Sequence, residues 1–300
     1  MISRIDGIIN VTKPSGLTSM DVVRRIKRAC NQKRVGHGGT LDPLATGVIP
    51  ICIGQATRMM EYLLGSRKQY LAVIKLGIET DSYDSEGEIV ACKDATGITE
   101  GDIFNAISHF RGKFQQTPPM YSAIKKDGKR LYDLARSGVH IERDGREVEL
   151  YQANITSWAG ANLSIEIECG KGFYVRSLAH DLGHILDVGG HITKLERTRV
   201  GAFSINQAVS IEEVEESFKA GTWPDIVQAM DIAVLQLPAI VVHPTAVQML
   251  RNGRQIATNT IPATSTTGLH RVYSTDGSFV ALATFSTAEG LWQPHKVFTS

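Results

Sequence analysis

Apolar and polar positions follow different periods along the chain, and each period predicts a type of element. Leu163–Cys169 (LSIEIEC) alternates cleanly, with Leu163, Ile165, Ile167 and Cys169 set against Ser164, Glu166 and Glu168, which predicts a half-buried antiparallel strand. Tyr70–Leu76 (YLAVIKL) is rich in β-branched and aromatic residues and predicts a strand with Tyr70, Ala72, Ile74 and Leu76 on one face. Ile8–Val11 is a shorter apolar strand that the turn Lys13-Pro14-Ser15-Gly16 ends. Helical spacing appears at Val22, Val23, Ile26, Ala29 and Cys30, after a capping box of Thr18 and Asp21, with Asp in the place of Glu. It returns at Val175, Leu178, Ala179, Leu182, Ile185 and Leu186, after the turn Gly170-Lys171-Gly172. Further helices are expected at Ala56–Leu64, at Thr99–Arg111 with Thr99 as cap, and at the acidic Glu212–Phe218. Glu79–Glu88 reads as a loop and Gly221–Pro224 as a hinge. After Pro238 acids nearly vanish and β-branched residues dominate. There Leu269–Ser274 and Phe279–Phe285 flank Thr275-Asp276-Gly277-Ser278, a hairpin signal.

One stretch has no period. Lys33–Arg58 holds Gly36, Gly38, Gly39, Gly47, Pro43 and Pro50 around one acid, Asp42, and one histidine, His37. Glycine permits positive φ and close backbone approach, and the Asp42-Pro43 step forces the aspartate out of helical conformation. A rigid loop presenting a lone carboxylate is expected. At this level Asp42 has two readings: a turn residue bonded to its own backbone, the commoner use of Asp before Pro, or a group presented to a ligand.

Charge changes the picture more than composition does. The 300 residues are 42% apolar, which is ordinary for a globular chain of one large or two smaller domains. No apolar run is long enough to span a bilayer, and the first residues lack signal- or transit-peptide character, so a cytoplasmic protein is expected. Cys30, Cys52, Cys92 and Cys169 are scattered and read as buried small hydrophobes. The net charge of +1 hides a segregation: residues 1–75 carry twelve Lys/Arg against four Asp/Glu, and residues 76–110 carry one against eight. Arg24, Arg25, Lys27, Arg28, Lys33 and Arg34 beside the glycine loop fit a polyanion footprint or a solvated helix face. On the first reading, the acidic segments face away from it.

Gln115–Arg136 combines Pro118-Pro119, Lys125-Lys126, Lys129-Arg130 and two tyrosines. It fits phosphate contact with base stacking on RNA, or an exposed loop entering a helix at Leu131–Ala135. Tyr174 and Arg176 fall at a strand-to-helix corner, where side chains reach a site without being buried. His180 and His184, at i and i+4, resemble half of a zinc motif. Its Glu is replaced by Asp181, no third ligand falls at the motif's spacing, and Gly183 weakens the helix, so no metal is expected there.

Taken in order, KPSGLTS at Lys13–Ser19, VGHGGTLDPLATG at Val35–Gly47, Tyr70, PPMYSAIKKDGKRLYDLAR at Pro118–Arg136 and GFYVRSLAHDLG at Gly172–Gly183 resemble the TruB family of pseudouridine synthases. The resemblance covers nearly the whole chain. It implies an α+β catalytic domain over residues 1–237, with a mixed, mainly antiparallel sheet flanked by helices and an RNA-gripping insertion at about 115–150. A PUA-like, RNA-binding β domain over 238–300 would follow. It implies isomerisation of uridine 55 in the T loop of tRNA by base flipping, with no metal or organic cofactor; a monomer without an obligate protein partner is the default expectation. By motif position Asp42 resembles the catalytic aspartate, Tyr70 the residue that stacks on the base, and Arg176 the aspartate's partner. His37 resembles the side chain that fills the space of the flipped base, Lys13 the lysine supporting the site, and Tyr174 and Leu195 pocket residues. Thr12, where an acid or amide is common, and Gly38, where Thr is common, depart from the pattern without touching these roles. The chemistry agrees with the roles: a flipped base needs an aromatic platform and a wedge, and a carboxylate acting as nucleophile or base is oriented by a charge-assisted partner. The alternatives are a guide-RNA-dependent enzyme of the Cbf-type branch, a non-catalytic RNA-binding protein, and a zinc hydrolase.

Overall fold

The alternating segments pair into one large mixed sheet. In this computed structural model residues 4–122, 124–126, 128–131, 135, 137, 139, 141–257 and 268–299 are described. The strands that build the sheet are β1 (Gly7–Lys13), β2 (Val35–His37), β3 (Thr46–Ile53), β4 (Lys68–Leu76), β5 (Gly112–Gln116), β6 (Arg146–Ala159), β7 (Asn162–Cys169), β8 (Gly190–Val200) and β9 (Val209–Ser210). Their order across the main path is β9-β1-β3-β8-β4-β7-β6-β5, with β2 paired to β3. Most pairs are antiparallel; β1–β9 and β3–β8 are parallel.

The period of two in β4 has a clear cause. The strand lies between β7 and β8, so its register sends Tyr70, Ala72, Ile74 and Leu76 to one buried face. Helices cover the sheet: α1 (Ser19–Cys30), α2 (Met60–Gly65), α3 (Glu100–Ser108), α4 (Val175–Ile185) and α5 (Ile211–Ala220). The boxes at Thr18/Asp21 and Thr99/Asp102 cap α1 and α3 as their sequence predicts, and Ser210/Glu213 caps α5 in the same way.

Several expectations change. The region after Asp42 is not loop throughout, because Thr46–Ile53 is a strand buried between β1 and β8. A strand covered on both faces has no alternation to read, and Pro50 argues against a central strand. Glu79–Glu88 begins in a strand, Ile78–Thr80, paired with Ile89–Cys92. Cys92 is exposed, unlike the other three cysteines. The acidic segments do not all face away from the basic cluster: α5 packs on α1, and Arg25 pairs with Glu212 at 2.9 Å and Glu215 at 2.7 Å. Lys125–Lys126 pairs with Lys129–Arg130 as a minimal hairpin, while the helix expected at Leu131–Ala135 falls largely outside the described residues.

Contacts divide the chain into Met1–Val227 and Gln228–Ser300. In the second unit β10 (Ala239–Val242), β11 (Ile256–Ala257), β12 (Gly268–Ser274), β13 (Phe279–Ser286) and β14 (Leu291–Val297) form a sheet of order β10-β12-β13-β14-β11. Helix α6 (Pro244–Arg251) packs beside it. Trp292, Val272 and Leu250 sit in its separate core. The segment before Pro238 belongs here because Arg271 donates to the carbonyl of Leu237 at 3.0 Å and Tyr273 donates to Asp231. Among the described residues, no helix is long and apolar enough to cross a membrane.

Candidate active site

Asp42 lies on the connection between β2 and β3, and buried cations hold that connection by its carbonyls. Lys13, at the end of β1, donates from Nζ to the carbonyls of Pro14, Leu17 and Pro43 at 2.8, 2.7 and 3.1 Å. Burial pulls its pKa down to about 8, with Asp42 and Glu86 opposing that fall. Arg197 on β8 donates to the carbonyls of Val48, Thr40 and Gly39 at 2.8, 3.1 and 3.0 Å. Ser19 closes a reciprocal pair with Leu41, accepting from its N–H at 2.8 Å and donating to its carbonyl at 3.0 Å. At Gly47 φ is +99°, and a Cβ would stand 2.3 Å from the Arg197 carbonyl oxygen, so glycine lets β3 meet β8 here.

The carboxylate faces the first turn of α4. Arg176 Nη2 donates to Asp42 Oδ1 at 2.9 Å and to the Tyr121 carbonyl at 2.8 Å, and Nη1 donates to the Ser82 carbonyl at 3.1 Å. Nη1 also pairs with Asp84 Oδ2 at 3.3 Å. Arg176 is 3% exposed, against the expectation of an unburied corner residue. It can be buried because two carboxylates and two carbonyls replace its water. Asp84 is held in turn by the Ser82 hydroxyl at 2.6 Å and the Glu86 N–H at 3.1 Å. Asp42 keeps 32% of its side chain exposed, so its carboxylate remains reachable.

Asp42, Tyr70, Tyr174, Arg176 and Leu195 share the wall of one cavity of about 240 Å³, with Lys68, Phe173 and Arg197. The sheet register explains the grouping: Arg197 is the partner of Tyr70 and Leu195 the partner of Ala72, so adjacent strands present these side chains together. Burial raises the Tyr70 phenol to about 12. The Tyr174 phenol also rises, again first through burial. Gln116 fixes the Tyr174 backbone from both sides, donating to its carbonyl at 3.0 Å and accepting from its N–H at 2.8 Å. Lys68 Nζ donates to the carbonyls of Ser66 and Leu64 at 2.8 and 3.0 Å, and burial brings its pKa to about 8.

Five of the seven residues expected at the site therefore line one cavity. Lys13 lies under the loop, and His37, at the end of β2, accepts from the Gly39 N–H at 3.3 Å. Burial and then Arg197 lower the His37 pKa, which keeps its ring neutral near pH 7. Sequence reasoning missed Arg197, Asp84, Gln116 and Lys68. Asp84 sits in a stretch rich in acids, and nothing local marks Arg197 or Gln116, whose work is done on backbone far away in the chain.

The fold is that of the pseudouridine synthase class, and within it an arginine-paired aspartate stands beside an aromatic-walled cavity. Residues 27–175 match the N-terminal domain of the TruB family of pseudouridylate synthases, and residues 176–234 match the C-terminal domain of tRNA pseudouridylate synthase B. The tRNA pseudouridine synthase B of Dehalococcoides mccartyi strain BAV1 is 42% identical over 98% of this chain and 97% of its own. That of Clostridium perfringens strain 13 is 40% identical over 93% of this chain and 94% of its own. A Cbf5-Nop10-Gar1 complex contains a chain that is 27% identical at a TM-score of 0.76, covering 98% of this chain and 85% of that one. The chain belongs to the TruB family of pseudouridylate synthases.

Proposed function

We propose that the protein converts uridine 55 in the T loop of tRNA to pseudouridine, as a monomer in the cytoplasm, with no metal or cofactor in the bond chemistry and no obligate protein partner. The observation that carries the reading is the pair Asp42–Arg176, held on a braced loop at the wall of a cavity that also contains Tyr70. Relatives named tRNA pseudouridine synthase B, 40–42% identical over nearly the whole chain, support tRNA as the substrate.

The reaction breaks the C1'–N1 bond, turns the uracil and joins C1' to C5; the C5 hydrogen leaves as a proton and N1 gains one. The base must first leave its stack, at a cost of a few kcal/mol. Tyr70 stacks on the flipped base and His37 fills the space it leaves; with its pKa lowered by burial, the ring takes that space without a charge to desolvate. Asp42 serves as nucleophile or base on the nucleoside, oriented by Arg176. Tyr174 and Leu195 wall the pocket, and Lys13 keeps the loop in register. Residues 115–150 grip the T arm, and the C-terminal β unit acts as a PUA-like RNA-binding domain.

A second reading, guide-RNA-dependent modification, has the Cbf5 likeness in its favour. Tritium release from C5-labelled uridine in a T-arm stem-loop separates the two. Turnover by the protein alone is expected, with Asp42→Asn lowering it roughly 10⁴-fold or more while RNA binding persists. Equal release by both proteins would remove Asp42 from the chemistry, and dependence on a guide RNA would select the second reading.

A further inference from the structure

We propose that Glu79, His180 and His184 form a binding site for one divalent transition-metal ion, with Zn²⁺ the best fit, outside the cavity that holds Asp42. His180 and His184 occupy successive turns of α4, and their ring centroids are 4.3 Å apart. The third group comes from the strand Ile78–Thr80, which explains why spacing within the histidine motif could not reveal it. Glu79 Oε1 lies 3.2 Å from Nε2 of His180 and 3.3 Å from Nε2 of His184. The three ligand atoms all fall within 4.8 Å of one another.

Those separations carry the argument. Tetrahedral zinc with bonds of about 2.0–2.1 Å to nitrogen and oxygen has ligand-to-ligand edges of about 3.3–3.4 Å; both edges from Glu79 match, and the edge between the two rings lies within 4.8 Å, a gap that side-chain rotation can close. The far side of His180 strengthens the case, because its Nδ1 lies 3.0 Å from Asp181 Oδ1. A neutral imidazole donates from one nitrogen only. Both ring nitrogens of His180 stand beside carboxylate oxygens, so a single ring proton cannot serve both contacts and the second calls for a further cation, a proton or a metal ion. A carboxylate that orients a histidine in this way is the usual outer support of a metal ligand. Stacking on Tyr83 at 3.9 Å fixes the ring further. Two imidazoles and a carboxylate without thiolate suit Zn²⁺, and the 54% exposure of His184 leaves room for water to complete the set.

A bound ion would staple the strand of Glu79 to α4. Arg176 lies in the first turn of that helix, and its partners Ser82 and Asp84 follow Glu79 closely in sequence. The site thus braces the scaffold of the aspartate's partner and takes no part in bond chemistry.

The test is calorimetric titration of the untagged, chelator-stripped full chain with Zn²⁺, on wild type, His184→Ala, Glu79→Gln and Cys92→Ser; the last controls for the exposed thiol. Binding of one equivalent at micromolar concentration is expected, weakened at least tenfold by His184→Ala and by Glu79→Gln and unchanged by Cys92→Ser. Co²⁺ substituted for Zn²⁺ should give a tetrahedral absorption spectrum without thiolate charge transfer. Thermal unfolding should shift upward with Zn²⁺ in wild type and not in His184→Ala, whose exposed side chain can be removed without disturbing the fold. Absence of saturable binding would mean that a proton alone occupies the gap and would overturn the proposal. So would binding that survives both ligand substitutions or disappears with Cys92→Ser.

Discussion

Arg176 and Asp42 meet across 2.9 Å although 134 positions separate them, and the arginine is buried while the aspartate is open to the cavity. The same guanidinium also pairs with Asp84, which is buried. One cation therefore serves a buried carboxylate and a cavity-facing one at once.

Removing that cation strands Asp84. Arg176→Met is expected to lower unfolding stability by about 3–5 kcal/mol and to abolish turnover. Adding Asp84→Asn should restore much of the stability, measured by urea unfolding, and none of the activity. If the double variant is no more stable than the single one, Asp84 is not the buried charge that makes the loss large.

Gly16, whose N–H donates to the Pro43 carbonyl at 2.9 Å, and Gly47, at the start of β3, should respond differently to alanine. At Gly16 φ is +84° with open space around a new Cβ, so only the backbone preference opposes the change, about 1 kcal/mol. At Gly47 the same left-handed preference combines with a clash against the Arg197 backbone, and the loss should exceed 2 kcal/mol, in the upper part of the range for strained positions. Equal unfolding midpoints for Gly16→Ala and Gly47→Ala would show that β3 and β8 can part at this point without cost.

Lys13 gives a pH signature. Its folded pKa is depressed, to about 8 from 10.5, so between those values the unfolded chain holds a proton that the folded chain has released. Stability from this group therefore rises as pH increases through about 8 toward 10.5. The stability difference between wild type and Lys13→Met, followed by chemical denaturation from pH 7 to 10, should shift in favour of wild type. Subtracting the variant removes the opposing effect of Cys52 and Cys169, whose thiols burial raises to about 12. A pH-independent difference would mean that Lys13 keeps its proton throughout.

The basic cluster is divided by its partners. Arg25 is engaged by Glu212 and Glu215, whereas Arg28, Lys33 and Arg34 are exposed. Replacing Arg28, Lys33 or Arg34 with Ala should weaken T-arm RNA binding and reduce its salt dependence by roughly one unit of slope each. Arg25→Ala should leave that slope unchanged and cost stability instead. Indistinguishable slopes for all four variants would place the RNA on another face.

The sequence by itself determined the elements with clear period, such as the strands at Tyr70–Leu76 and Leu163–Cys169 and the capped helix after Thr18, because half-burial writes itself into alternation. It also marked Asp42, Tyr70, Tyr174, Arg176 and Leu195, through motifs whose order along the chain resembles one family. Tertiary structure alone decided the rest. Thr46–Ile53 became a central strand because its neighbours cover both faces, which erases the alternation that would announce it. Arg197 became the clamp of the Asp42 loop through hydrogen bonds to carbonyls, which any residue offers and no side-chain pattern records. Glu79 came to stand beside His180 and His184 because strand and helix pack together, and ligands from separate elements share a distance in space without a spacing in sequence.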